Sequence, residues 1–283
     1  MTFNFAQQTV LITGASSGIG NQFATVLAER GAALVLVARR LDRLEALAAE
    51  LRDTYGATVD VVSADLAAPS AAADLQAVVK RRGIRVTSLI NNAGFGTFGP
   101  FADEDLARLT DEIAVDITAL VGLSHVFLPE LRQSNGFLIN VASMAAYTPA
   151  PRMAVYAASK AFVLSFTEAL WAELQGSGVT VFALSPGATS TEFNAVVGTE
   201  DATAGAKKRS AAAVVGTALA HLEGRNPGPS VIDGTTNRIG AIFARIPSRR
   251  LSVRMMNRLT DPARRSRARV ATDGEKYSCQ AKC

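Results

Sequence analysis

The chain is expected to form a doubly wound α/β fold, a seven-stranded parallel sheet with helices on both faces. Three observations carry that expectation. From residue 9 to about residue 185, short β-branched runs alternate with longer segments of helical period, the pattern of a parallel sheet covered on both sides. The first run ends in a glycine-rich turn, Thr13-Gly14-Ala15-Ser16-Ser17-Gly18-Ile19-Gly20, which opens the first helical segment. Apolar residues make up 48% of the 283, enough to bury a substantial core.

The expected strands, in order, are 9–13, 33–37, 58–63, 86–90, 136–142 and 179–185, with a seventh near 229–232 closing the edge. Helical stretches lie between them near 18–30, 41–55, 70–81, 103–132 and 152–175. Gly31 and Gly56 stop the first two, and Pro69-Ser70 starts the third. Right-handed crossovers then bring every strand's carboxyl end to one rim, where such sheets bind ligands. The segment 188–209, rich in Thr, Ala and Gly, is expected to be a mobile loop over that rim.

Composition assigns one main domain, residues 1–235, followed by a basic helical extension, 236–263, and a tail, 264–283, whose Arg, Ser, Thr, Lys and Gly read as disordered. The charge is uneven. Residues 1–237 hold 17 Lys+Arg against 22 Asp+Glu, whereas 238–283 hold 12 against 3. The basic character belongs to the tail, and no base-stacking aromatics are interleaved with its arginines, so a nucleic-acid partner is not expected. Cys279 and Cys283 lie in the last five residues and form neither a disulfide framework nor a metal-ligand cluster, and no metal is expected. No apolar run of eighteen uncharged residues is present, and residues 1–8 lack a signal-peptide layout; the expected location is the cytoplasm.

The glycine turn suits a dinucleotide. Gly14, Gly18 and Gly20 let the backbone turn tightly and approach a pyrophosphate, whose charge is met by the N–H groups opening the helix, with Ser16, Ser17 and Ile19 between them. After the second strand come Arg39 and Arg40, with no acid before Asp42. An acidic residue there would bind a ribose 2′-hydroxyl, whereas arginine pairs with a 2′-phosphate, so NADP(H) is expected over NAD(H), with Arg39 the stronger contact.

Six motifs stand in order along residues 9 to about 235: Thr13-Gly14-x-x-x-Gly18-x-Gly20, Asp65-Leu66, Asn91-Asn92-Ala93-Gly94, Ser143, Tyr156-x-x-x-Lys160 and Ser185-Pro186-Gly187. In these the chain resembles the short-chain dehydrogenase/reductase (SDR) family, a group of Rossmann-type oxidoreductases. The resemblance implies that Asp65, with Leu66, sits near the adenine, that Asn92, Ala93 and Gly94 back the cofactor, and that Pro186 and Gly187 flank the nicotinamide. It further suggests that Thr191, with Thr189 nearby, helps to hold the carboxamide. It also implies a homodimer or homotetramer built through the helices near 103–132 and 152–175.

The chemistry has its own warrant. A ketone accepts hydride only if its oxygen is stabilised and then protonated, and Ser143 and Tyr156 can supply a hydrogen-bond donor and a general acid. Lys160, at i+4 from Tyr156, is placed to favour phenolate and lower the phenol's pKa. Relatives carry an asparagine, in a Val-Asn pattern, that orders a water leading to the lysine; here the pair is Val115-Asp116. An ionised Asp116 keeps Lys160 protonated but opposes phenolate, so a working enzyme with a shifted pH optimum is expected. The alternative is a catalytically impaired NADP(H)-binding regulatory or scaffold protein of the same fold.

The side chains expected to face the reacting carbonyl, Phe95, Met144, Tyr147, Phe193 and Val196, are apolar and include no cationic clamp, which points to an apolar carbonyl or alcohol such as a ketone, 3-oxoacyl group or sterol. In the extension, Leu251, Met255 and Leu259 fall on one helical arc beside Arg250, Arg254 and Arg258, and Ile239, Ile242, Phe243 and Ile246 form a second apolar stretch. Two placements stay open for this helix: packed on its own domain or a partner subunit, or lying in an anionic membrane surface.

Overall fold

The computed structural model describes residues 3–203, 205–244 and 248–261. The proposed tail 264–283 and Ile246 lie outside the described residues. Seven parallel strands form one sheet: β1 (Thr9–Thr13), β2 (Ala33–Ala38), β3 (Val59–Ser63), β4 (Ser88–Asn91), β5 (Phe137–Val141), β6 (Thr180–Ser185) and β7 (Ser230–Ile232), in the order β3-β2-β1-β4-β5-β6-β7. The order reverses between β1 and β4, which opens a crevice beyond their carboxyl ends.

Alternate residues of each strand feed two cores. On one face, Val10, Ile12, Leu34, Leu36 and Phe182 pack with Phe23 and Leu27 of α1 (Gly18–Glu29), Leu44 and Leu51 of α2 (Leu41–Tyr55) and Val214 and Leu219 of α8 (Ala211–Leu222). On the other, Leu11, Val35, Leu89 and Leu138 meet Leu75 of α3 (Ala71–Arg81) and Leu123, Phe127 and Leu131 of α5 (Leu120–Gln133). Strands buried on both faces have no solvent side on which to place polar residues, which is why the sequence runs are continuously apolar. Phe23 is fully buried, and truncating it to alanine costs about 3–5 kcal/mol.

The single helix expected over 103–132 is broken. Phe101–Asp103 make a 3₁₀ turn, α4 spans Leu106–Ile113, Ala114–Ala119 widen into a π turn, and α5 follows. Periodicity cannot register one extra residue in a turn, and such widenings recur at functional sites. The run Leu106–Gln133 is apolar and long enough to cross a membrane, but its buried residues Leu109, Leu120, Leu123, Phe127 and Leu131 face the protein interior.

After α6 (Ala154–Glu173) the segment expected as a loop, 188–209, instead carries α7 (Phe193–Val197) and a 3₁₀ turn at Glu200–Thr203. Its two ends are tied together: Arg209 N–H donates to the Ala188 carbonyl at 2.9 Å and Ser190 N–H to the Arg209 carbonyl at 2.8 Å. The Arg209 guanidinium reaches the buried Asp233 carboxylate, just past β7, at 2.6 Å. Helix α8, which sequence periodicity did not single out, is apolar nearly all round because it is covered by α1 and the sheet. The extension forms α9 (Thr235–Phe243) and α10 (Arg249–Leu259), the latter capped by Ser248.

Candidate active site

A cavity of about 780 Å³ follows the carboxyl rim of the sheet. Every residue of the sequence-derived cofactor set lines it except Gly20. That glycine lies buried behind the turn, where a Cβ would collide with the Gly14 carbonyl and the Asn92 side chain.

The turn is pressed onto the loop after β4. Gly14 has φ of 67°, and a Cβ there would meet Ala93 Cα at 2.9 Å, so both its conformation and its surroundings demand glycine. Asn92 Nδ2 donates to the Thr13 carbonyl at 2.9 Å, while the backbone N–H groups of Asn92 and Ala93 donate to Thr13 Oγ1 at 2.9 and 3.0 Å. Ser17, at the start of α1, makes no side-chain capping bond, which leaves the first N–H groups of the helix for an anion. These features fit a pyrophosphate.

Arg39 and Arg40 line the same end of the cavity but differ in their partners. Arg40 donates to Ser16 Oγ at 3.1 Å and pairs with Glu192 at 2.9 Å; Arg43 holds the other Glu192 oxygen at 2.5 Å. These two guanidinium groups pull the Glu192 carboxyl down to about 2. Arg39 is exposed, its backbone carbonyl accepting from Ser63 Oγ at 3.2 Å, and among the described residues its guanidinium has no ion-pair partner.

Ser143, at the end of β5, caps a 3₁₀ turn and accepts from Ala145 N–H at 3.1 Å. Tyr156 and Lys160 stand on adjacent turns of α6, and the Lys160 ammonium lies 5.7 Å from the centre of the Tyr156 ring. Lys160 donates to the Val141 carbonyl at 3.2 Å and pairs with Asp116 at 3.1 Å. Asp116 does not line the cavity; it lies fully buried in the π turn, its other oxygen accepting from Phe95 N–H at 3.1 Å. Gly94 is squeezed against this pair, since a Cβ on it would come 2.7 Å from Asp116 Oδ1 and 3.0 Å from Lys160 Nζ. The carboxylate thus stands against the ammonium directly, where an asparagine in relatives would order a water.

Charge burial governs the cluster. The Tyr156 phenol is pushed up by its burial, against the pull of Lys160 and the Ser143 hydroxyl towards phenolate. This corrects the expectation of a lowered phenol: the ammonium acts as expected, but desolvation outweighs it and Asp116 adds to the rise. Burial opposes the Lys160 cation, yet the neighbouring Asp116 and Tyr156 hold it above the usual lysine range. Burial also raises Asp116, and it raises Glu112, one turn earlier on α4, to about 7. Sequence reasoning missed Glu112 because an isolated acid in a helix reads as a solvated residue; only its total burial distinguishes it.

On the substrate side, Phe95, Met144, Phe193 and Val196 line the cavity, and Phe193 packs against the Tyr156 ring with centroids 5.3 Å apart. Tyr147 does not line it. Its hydroxyl lies 3.4 Å from Ser185 Oγ and its ring packs with Leu120, Ala142 and Val163, because the 3₁₀ turn after Ser143 rotates it away. The extension supplies the missing wall: Phe243, Met255, Met256, Leu259 and Thr260 close the cavity. Arg152, held at φ of 68°, anchors this roof by donating to Asn257 Oδ1 and Thr260 Oγ1, each at 3.1 Å. Asn237 on α9 fills the space over Gly187, a contact with no signature in the sequence.

A crevice at the strand reversal, a glycine turn before an uncapped helix, and a Ser-Tyr-Lys set beside it mark an α/β fold of the dinucleotide-binding type. The family model described as short chain dehydrogenase matches residues 8–202, and the chain belongs to that family. It is 40% identical over 191 residues to 11-beta-hydroxysteroid dehydrogenase 1A of Arabidopsis thaliana, a match covering 67% of this chain and 54% of that protein. The chain thus spans about half the length of that relative. Among solved structures, a short-chain dehydrogenase from Sphingobium yanoikuyae in complex with NADPH superposes with a TM-score of 0.75 at 36% identity, covering 83% of this chain and 92% of that one. A 7beta-hydroxysteroid dehydrogenase superposes with a TM-score of 0.79 at 28% identity, covering 90% and 100%.

Proposed function

We propose that this protein is an NADP(H)-dependent oxidoreductase that interconverts an apolar carbonyl compound and its alcohol, with Tyr156 as general acid in reduction and general base in oxidation. The observation that carries the reading is that Ser143, Tyr156, Lys160 and the glycine turn line one cavity, with Asp116 buried outside it and paired to Lys160. The nicotinamide, when bound, supplies or receives the hydride. Ser143 donates a hydrogen bond to the substrate oxygen, and Tyr156 protonates that oxygen as negative charge builds on it. Lys160, held as a cation by Asp116, stabilises the phenolate that remains. Arg39 supports NADP(H) over NAD(H), in keeping with the NADPH complex of the Sphingobium neighbour.

The roof supports the substrate class. Met153, Phe193, Met255 and Leu259 surround the space before Tyr156 with apolar surface, which suits a bulky ketone, a 3-oxoacyl chain or a sterol-like alcohol, and two of the similar proteins are hydroxysteroid dehydrogenases. The outer faces of α9 and α10 expose Ile239, Ile242, Leu251 and Met255 beside Arg250, Arg254 and Arg258. This pattern supports a cytoplasmic protein that meets anionic membranes at the cavity mouth. Exchanging the three arginines for glutamate should abolish co-sedimentation with anionic phospholipid vesicles. Phe162, exposed on α6 and stacked on Phe166, supports a homodimer through that helix, which light scattering would test.

The decisive experiment follows nicotinamide absorbance with NADPH and with NADH across apolar ketones, 3-oxoacyl thioesters and steroid ketones. Turnover with NADPH that collapses with NADH supports the reading. Tight NADPH binding with no turnover of any substrate, and no change in binding on Tyr156→Phe, would replace it with a scaffold role.

A further inference from the structure

Asn237 stands on α9, outside the residues 8–202 matched by the family model, yet it lines the cavity and its side chain covers Gly187. Its amide is held in one orientation. Nδ2 donates to the Asp233 carbonyl at 2.6 Å, and Asp233 is itself fixed: its buried carboxylate accepts from Arg209 Nε at 2.6 Å and Thr217 Oγ1 at 2.7 Å, while its N–H donates to the Ser185 carbonyl at 3.1 Å. An amide that donates on one side presents its oxygen on the other, and among the described residues no group donates to Asn237 Oδ1. The contact with Gly187 demands glycine there, because a Cβ would collide with Nδ2 and lie 3.0 Å from Oδ1.

The carbonyls along this wall are already engaged. After β6, the Pro186 carbonyl accepts from Met144 N–H at 2.8 Å, the Gly187 carbonyl from Thr189 Oγ1 at 3.0 Å and the Ala188 carbonyl from Arg209 N–H at 2.9 Å. Asn237 Oδ1 is the acceptor beside them that receives no bond from the described protein. A dinucleotide with its pyrophosphate at the glycine turn and its nicotinamide within reach of a carbonyl held by Ser143 and Tyr156 has to pass this wall, since Pro186 is bonded to the residue after Ser143. The nicotinamide carboxamide ends in an amino group, whose N–H donors cost free energy if buried without an acceptor. We propose that Asn237 Oδ1 accepts from that amino group, making Asn237 a cofactor-positioning residue that fixes the rotation of the nicotinamide ring and so the face from which hydride leaves. The proposal rests on the reading of this cavity as an NADP(H) site before Tyr156. Because Nδ2 is turned to the Asp233 carbonyl, Asn237 reads the amino side of the carboxamide. Its oxygen side is left to Thr191, which is pressed onto Gly18 and whose own oxygen accepts from Phe193 N–H at 3.3 Å, keeping the hydroxyl proton to donate.

The test pairs a change in the protein with a change in the cofactor. Full-length wild type, Asn237→Leu and Asn237→Ala are titrated by calorimetry with NADP⁺ and with its 3-acetylpyridine analogue, in which a methyl group replaces the carboxamide amino group. Wild type is expected to bind NADP⁺ roughly three- to tenfold more tightly than the analogue, the worth of one hydrogen bond. Asn237→Leu, which keeps bulk over Gly187, and Asn237→Ala, which removes it, should both lose that preference, their NADP⁺ affinity falling to the level of the analogue. A residue that only packs the roof would weaken both cofactors alike and leave the ratio standing. A wild type that binds the two cofactors equally overturns the proposal, and so does an unchanged ratio in either folded variant; both results leave the NADP(H) oxidoreductase reading intact. A wild type that binds neither cofactor overturns the proposal and the reading together. Wild-type preference that vanishes in the variants, with no ketone turned over by any of them, keeps Asn237 at the carboxamide and overturns the oxidoreductase reading alone.

Discussion

The two walls of the cavity are built by opposite means. The cofactor wall, from β1 to the loop after β4, is backbone pressed on backbone, with Gly14, Gly18 and Gly20 placed where any side chain would collide and Asn92 and Thr13 binding two strand ends together. The roof, α9 and α10, is side chains: Phe243, Met255 and Leu259 reach in from helices whose outer faces are exposed, and Arg152 ties the far end down through a few part-exposed hydrogen bonds. A wall of backbone can change only by moving strands, whereas a wall of side chains can be re-cut residue by residue. Shared cofactor chemistry and divergent substrates within one family follow from that difference.

Tyr156 stands where the walls meet, and removing its hydroxyl separates chemistry from both. Tyr156→Phe is expected to lower kcat by about 10²–10⁴-fold while NADPH affinity, read by fluorescence titration, holds within about twofold. A parallel loss of NADPH binding would mean that the phenol belongs to the cofactor wall instead. Behind the same residue, the buried carboxyls set a pH dependence of stability. The folded state holds Glu112 at about 7, against 4.5 when free, so between those values the folded chain binds the extra proton. Stability is therefore lost as pH rises through that window, by at most about 3 kcal/mol, with Asp116 shifted in the same direction by burial. Urea unfolding at about pH 5 and about pH 8 should show the loss in wild type and little of it in Glu112→Gln.

The cofactor wall is sharpened by Arg39. Arg40 is committed to Ser16 and Glu192, so Arg39→Ala should remove the charge-assisted contact to a 2′-phosphate, about 1.5–3 kcal/mol or roughly tenfold to a hundredfold in NADPH affinity, with NADH unchanged. Equal losses with both cofactors would show that the arginine shapes the wall without reading the phosphate.

The sequence revealed these walls unequally, for physical reasons. Strands and the glycine turn follow local rules, continuous β-branched apolar runs and positive φ, and all seven strands lie within two residues of their expected bounds at each end. Tyr156 and Lys160 were equally legible because their spacing is one helix turn, and Ser143 because it ends the strand before them. Asp116 was legible as a departure, but its direct contact with Lys160 depends on the π turn, which breaks the period on which a helix is recognised. Tyr147 was misplaced because a 3₁₀ turn rotates each side chain further than an α-helix does. Glu112 and the roof depend on burial between elements far apart in the chain, and residue pattern alone carries no signal of that. The amphipathic arc of α10 was visible, yet its apolar residues serve both faces: Met255 lines the cavity while remaining 48% exposed.

The roof gives the smallest and most specific effect. Arg152 adopts a left-handed conformation, its carbonyl accepting from Gly99 N–H at 2.9 Å, and its head holds Asn257 and Thr260 at the end of α10. Arg152→Ala loses bonds that are part-exposed, so the change in global stability should be about 1 kcal/mol or less. Its effect should fall on substrates that need the roof: KM for bulky ketones is expected to rise severalfold, while small ketones and NADPH keep their values. Arg152→Gly, which relieves the backbone conformation but lacks the head, separates the two roles. If it matches Arg152→Ala in KM, the anchor is the guanidinium; if it matches wild type, the roof is held by packing alone, and the side-chain wall is firmer than its exposure implies.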